Sequence, residues 1–431
     1  MRQRSEFVPY NVTTLIDGLR VLTVPMPGRD SAAVAVWVKT GGRYETKKNS
    51  GVSHFLEHML FKGTKRRTTR QIKEEIEGVG GILNAFTGEE VTCYFSKLLK
   101  EYYPQALDVL SDMVLNATIP ADEFCREKPV ILEEIKMYRD LPSHHVHDLM
   151  AELLWPEQPL GWPLAGSPES VAGLSRSDLA VYMKQHYQNA NILIAVSGNI
   201  PHSEVVERVH SIYRGRAAQK SSVFQKAVSR QSKPRTNFYE KKTEQTHLVI
   251  GFHALPRMHA DRYKLGLLHI ILGANMSSRL FDKIREKRGL AYEIKSGILT
   301  YADTGAFTVS AGVETVQTAK AVEVIMGELT RITRQPVKPG ELRRAKDYFM
   351  SQVYLGVEDT LDHLLWAGER LLCGNELPNK EDIRRKVEEI SWEELRELAA
   401  KIFRTPNLNL ALIGPVGDKM QKEIRKRLVI G

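Results

Sequence analysis

The hydrophobic period of this chain passes from that of strands to that of helices and back in the same order twice. That repetition limits the possible folds more than any single motif. In the first half, runs at 13–16 and 19–24 flank Asp17-Gly18, a two-residue hairpin signal, and 32–38 adds a third strand-like run. From Ser50 the spacing turns helical, with Val52, Phe55, Leu56 and Met59 on one stripe, and a second helix is predicted over 68–79. Strands follow at 81–86 and 91–95, where Val91, Cys93 and Phe95 alternate to one side. Long helical patterns cover 103–115 and 121–139, and more helix leads to a strand at 191–197. The second half repeats the order: strand 247–252, helices 265–272 and 278–285, strands 291–299 and 306–311, then long helices. Ala106-Leu107-Asp108-Val109-Leu110 is echoed by Ala321-Val322-Glu323-Val324-Ile325. The expectation is an α+β fold of two homologous domains, each an antiparallel sheet covered by helices. Residues 217–235 carry Lys220, Lys226, Arg230, Lys233 and Arg235, no acidic residue and no apolar period, so they read as a basic linker between domains 1–216 and 236–431.

Composition excludes several classes. With 431 residues the chain exceeds what one core usually supports, and 42% hydrophobic with 26% charged residues is ordinary for globular proteins. Its 61 Lys plus Arg against 52 Asp plus Glu give a net charge of +9, spread along the chain without a basic and aromatic motif, so a nucleic-acid partner is not expected. No segment approaches the roughly 18 apolar residues of a membrane span, and the basic start (MRQRSEFVPYNVTT) has no apolar run behind it. Three separated cysteines (Cys93, Cys125, Cys373) indicate neither a disulfide framework nor a thiolate metal site, which fits a cytoplasmic protein.

His54-Phe55-Leu56-Glu57-His58 sets two imidazoles at i and i+4 on one helix face with a carboxylate beside them. Two neutral imidazoles suit Zn²⁺, a third protein ligand completes a catalytic site, and a fourth position is left for water. Glu57 is placed to act as general base, and lowering the pKa of a water to about 7 makes a nucleophile for peptide hydrolysis. The competing reading is a surface helix with solvated His and Glu. Against it, the segment is strongly apolar around the three residues, and charged groups are seldom buried on such a face unless paired or bound to metal.

The run Gly51-Val52-Ser53-His54-Phe55-Leu56-Glu57-His58-Met59-Leu60-Phe61-Lys62-Gly63-Thr64 resembles the signature of the insulinase or pitrilysin family of inverted zincins, which includes mitochondrial processing peptidases and bacterial homologues. The resemblance implies two homologous α+β domains per half-clamshell, a zinc endopeptidase site, and a closed chamber that admits unfolded peptides. The family's third zinc ligand is a helical glutamate well downstream of the second histidine, and Glu133 and Glu134 both stand near the expected spacing. Val130-Ile131-Leu132-Glu133-Glu134 matches the family best with Glu134 as ligand. On a helix, Glu127, Ile131 and Glu134 also share one stripe while Glu133 points away from it. Glu127 matches a family position that orients the site, and Pro129 between them is expected to bend the helix. Asn84, Ala85 and Phe86 resemble the family's edge strand, which pairs with the substrate backbone.

In the second half, Arg285 and Tyr292 resemble the family's arginine and tyrosine motif, which contacts substrate and stabilises the developing oxyanion. That half has no H-x-x-E-H, so it is expected to bind rather than to hold metal. The family's chamber has four domains and this chain supplies two, which implies a homodimer or a heterodimer with a homologous subunit, with Arg285 and Tyr292 completing the other subunit's site. The alternative is a non-catalytic or partner-dependent subunit of a heterodimeric processing peptidase. His144, His145, His147 and Asp148 read as a polar helix start rather than a metal site.

Overall fold

The computed structural model describes residues 10–215, 222–374, 376–377 and 379–431. The first nine residues of the basic start and positions 217–221 of the linker lie outside them.

Two compact units form, each with its own sheet. The first contains Met1–Ile135, Pro163–Gln225 and Tyr354–Lys380. Its strands are β1 (Asn11–Thr14), β2 (Arg20–Pro25), β3 (Ser31–Val38), β4 (Ile82–Thr87), β5 (Thr92–Leu99) and β6 (Ile192–Gly198). They are ordered β1-β2-β6-β3-β5-β4. The sheet is mixed rather than purely antiparallel, because β6 returns after the helices and enters between β2 and β3, parallel to β2. Strand β3 is apolar almost throughout because both sheet faces are covered. Val34, Val36 and Val38 face a core with Phe55, Leu56, Leu107 and Leu110. Ala33, Ala35 and Trp37 face a second one with Val91, Cys93, Leu364 and Ala367, so the alternation read along 91–95 points at this face.

The second unit contains Lys136–Trp162, Lys226–Val353 and Glu381–Gly431. Its strands β7 (Arg235–Glu240), β8 (Gln245–Ala254), β9 (Ala291–Thr300), β10 (Gly305–Glu314) and β11 (Leu408–Gly414) run in the order β7-β11-β8-β10-β9. Here too one pair, β7 with β11, is parallel.

The units are not consecutive halves of the chain. The helix Pro142–Leu154, from the first half, packs Val146, Met150 and Leu154 on Val249, Ala411 and Ile413 of the second sheet. The helix Thr360–Glu369, from the second half, covers the first sheet, and a Cβ on its Gly368 would meet the Trp37 indole at 2.4 Å. Of the linker, 222–234 has no regular element but is tied down. Ser222 bonds Asn191 and His186 in the first unit, while Ala227 and Val228 donate to Asp303 and Gln158 in the second.

The first unit presents its candidate site on the face of the sheet toward β4. There α1 (Val52–Leu60), α2 (Thr69–Glu77), α3 (Tyr103–Asn116) and α4 (Ala121–Asp140) follow the order expected from the periodicity.

Candidate metal centre

Helix α1 buries Val52, Phe55, Leu56, Met59 and Leu60 and leaves His54, Glu57 and His58 half-buried on its remaining face. Its start is held from below. The Glu45 carboxylate accepts from the Gly51 N–H (2.7 Å) and the Ser53 N–H (2.8 Å), two of the donors that a helix N-terminus leaves without a partner. The Ser53 hydroxyl bonds the Tyr182 hydroxyl (2.8 Å), which bonds Thr40 (2.7 Å). Burial pushes the Glu45 carboxyl up to about 7, against the pull of Ser53 and the Gly51 N–H. The far end is held by charge. Arg66 and Arg67, just past α1, bond Asp108 on α3, and Arg67 also reaches Asp112 and Glu75.

Opposite α1, α4 runs unbroken through Pro129 and brings Glu127 and Glu134 to the same side, with Ile131 between them fully buried. His54 Nε2 and His58 Nε2 each lie 3.7 Å from one Glu134 oxygen. Glu133 is exposed. These three side chains form the one group among the described residues whose donor atoms, all within 4.8 Å of one another, could hold a metal ion. The separations are too long for hydrogen bonds and suit donors that share a central ion at about 2.0–2.2 Å each. Burial, and then the neighbouring His58, push the His54 imidazole down to about 4, so it is neutral at pH 7, the form that ligates. Two imidazoles and a carboxylate are a donor set that Zn²⁺ accepts with one position left open.

Around the trio stand oriented partners. Glu127 accepts from His58 Nδ1 at 2.9 Å and receives Lys62 Nζ at 2.5 Å. Partial burial works against its anion, but Lys62 and His58 hold the Glu127 carboxyl below the usual range. Such a partner fixes the tautomer that leaves Nε2 free to ligate. Glu57 is raised by burial, against the Thr87 hydroxyl and His58, which favour the anion.

Strand β4 is one of the two edges of its sheet and, among the described residues, pairs only with β5. Its pleat exposes Asn84 and Phe86 and half-buries Leu83, Ala85 and Thr87. The Ala85 N–H donates to the Asn84 side-chain oxygen at 2.8 Å. Arg285 and Tyr292 belong to the second unit, where a π-helical turn (Phe281–Glu286) and β9 bring them together. The guanidinium stands 5.4 Å from the centre of the Tyr292 ring, and the tyrosine is 76% exposed. The helix with His144, His145, His147 and Asp148 lies in the second unit and contributes to no metal group among the described residues.

The sequence assigns no role to Lys62 or Glu45, and it places Thr87 only at the end of the run Asn84-Ala85-Phe86-Thr87 that resembles the edge strand. The usable signal for Thr87 was a hydroxyl on the same pleat face as Leu83 and Ala85. Lys62 stands one turn beyond His58, which puts it on the same helix face if the turn continues. Glu45 carries no local signal, because it caps a helix that starts several residues later.

Residues 20–167 match the sequence model of insulinase, peptidase family M16, and residues 173–349 match that of the M16 inactive domain. The chain is 36% identical to an uncharacterized zinc protease of Bacillus subtilis over 94% of its length and 98% of the relative's. It is 34% identical to another of Streptomyces coelicolor, over 96% of this chain and 91% of that one. Among solved structures, a protease from Helicobacter pylori has the same fold, with a TM-score of 0.90, 22% identity, and 94% of this chain and 99% of that one covered.

Proposed function

The chain belongs to the insulinase family, peptidase family M16, and from that premise we propose that it is a zinc-dependent endopeptidase acting on unfolded peptides. The observation that carries the proposal is the convergence of His54, His58 and Glu134 from two helices, with Glu57 on the same helix face as the histidines.

In this reading His54, His58 and Glu134 hold the ion. When bound, zinc supplies a Lewis acid that lowers the pKa of a water and polarises a carbonyl oxygen. Glu57 takes a proton from the attacking water on its Oε1, since Oε2 is engaged by Thr87, and returns it to the departing amine nitrogen. Glu127 keeps His58 in its ligating tautomer. The open edge of β4 at Asn84, Ala85 and Phe86 adds the substrate as a further strand, so that main-chain hydrogen bonds bind it and side chains set only preferences. Arg285, half-buried, and the exposed Tyr292 beside it contact the substrate carbonyl in the site of a second subunit, homologous or identical, and the chamber between subunits selects unfolded chains.

The test is hydrolysis of a quenched fluorescent peptide mixture by zinc-loaded protein, before and after chelation and again after zinc is restored. Cleavage that disappears and returns supports the reading. A zinc-loaded protein that cleaves nothing points instead to a subunit that needs a different partner or has no catalytic role.

A further inference from the structure

The chemistry proposed above needs one carboxylate oxygen aimed at a water, yet the half-buried Glu57 side chain turns about three rotatable bonds. Something must fix its rotation. The Thr87 hydroxyl donates to Glu57 Oε2 at 2.5 Å, the one hydrogen bond to this carboxylate among the described residues. A hydroxyl bonded to an ionised acceptor is a short, strong bond. Thr87 is well suited to hold that direction. It is β-branched, so its χ1 is stiff, and it closes a paired strand, opposite Thr92 in β5, with the next residue in a tight turn (Gly88 N–H to Val91 O, 2.8 Å).

The same strand is an edge of the sheet, open on one side among the described residues. Leu83, Ala85 and Thr87 share one face of its pleat, and Thr87 lies two residues from Ala85, whose N–H is held by the neighbouring Asn84 side chain. One rigid element therefore carries both the backbone offered to an added peptide strand and the hydroxyl that orients the carboxylate. A fixed offset along a strand makes a fixed distance between the peptide bond in register and the oxygen that is left free.

We propose that Thr87 is a positioning residue that ties the general base Glu57 to the substrate-binding edge strand, so that the peptide's register and the base's free oxygen are set by the same element. The proposal rests on the peptidase reading for its kinetic consequence but not for its geometric one.

The test compares Thr87→Val, which keeps shape and branching but removes the hydroxyl, with Thr87→Ser, which keeps the hydroxyl. Each is measured as zinc-loaded protein for zinc content, for kcat and KM on a quenched peptide, and by a crystal structure for the orientation of the Glu57 carboxylate. Thr87→Val is expected to bind a full equivalent of zinc, to keep KM within about twofold, and to lose at least about tenfold in kcat, since misdirected proton transfer forfeits part of a 10²–10⁴-fold effect. Thr87→Ser is expected to recover most of that loss, and the Glu57 carboxylate to turn away in the valine variant alone. A valine variant with wild-type kcat, or one that raises KM while leaving kcat unchanged, overturns the proposal. Should the wild type cleave no peptide at all, the peptidase reading fails separately, and the crystal structures still decide: an unchanged Glu57 carboxylate in Thr87→Val overturns the positioning role.

Discussion

At the scale of single residues, the site turns on which glutamate of α4 faces the histidines. Helical periodicity alone sets Glu134 on the Glu127 and Ile131 stripe and turns Glu133 outward, and the structure places Glu134 Oε1 and Oε2 3.7 Å from the two imidazoles. Glu133→Gln is therefore expected to bind zinc as the wild type does. Glu127→Gln removes the negative charge behind the His58 Nδ1 proton, leaving a weaker amide acceptor, and is expected to weaken zinc by roughly 10-fold, toward the low end of a 10–100-fold range. Glu134→Gln should weaken it further than that, and competition against a chelator of known affinity ranks the three. A Glu133 variant weaker than the Glu134 variant would reverse the assignment. His54, Glu57 and His58 were legible because the i, i+3 and i+4 spacing is itself the geometry. The bonds of Lys62 to Glu127 and of Thr87 to Glu57 were not legible, since a hydrogen bond between elements depends on a packing angle that no local pattern records.

Among the elements, α1 is fixed at both ends by groups outside the helix: Glu45 below, and the Arg66 and Arg67 cluster on Asp108 and Asp112 above. Desolvation opposes the Asp108 anion, but the two guanidiniums outweigh it and hold its carboxyl below the usual range. A depressed folded pKa adds stability that is present above the unfolded value, near 3.9, and is lost as pH falls through the folded one. Asp108→Asn is expected to cost about 1–2 kcal/mol at pH 7, and urea denaturation should show this difference shrinking toward pH 3. A difference independent of pH would mean that the arginines do not act through this charge. The order of strands and helices was largely legible from hydrophobic period, since central strands covered on both faces and amphipathic helices leave strong signals. Strands β7 and β11 were not identified. The first is a polar edge strand, with intermediate or exposed residues only, and the second stood among long helical patterns. Nor could periodicity say that Pro142–Leu154 and Thr360–Glu369 each cover the sheet of the other half, because an apolar face does not name its partner.

At the scale of the whole molecule, one chain supplies a donor set in one unit and an adjacent arginine and tyrosine in the other, and the proposed peptidase joins them across a dimer. One assay tests this most directly: peptide hydrolysis at equal zinc occupancy by the wild type, by Glu57→Gln, by Arg285→Ala, and by the two variants co-expressed and purified together. Each variant alone is expected to lose nearly all activity. Their mixture should regain up to roughly a quarter of the wild-type rate, since half of randomly formed dimers carry one complete site of two. A mixture no better than its parts would confine Arg285 to its own chain's site. A zinc-loaded Glu57→Gln protein as active as the wild type would contradict the account at its centre, because no other carboxylate has been given the task of moving the proton.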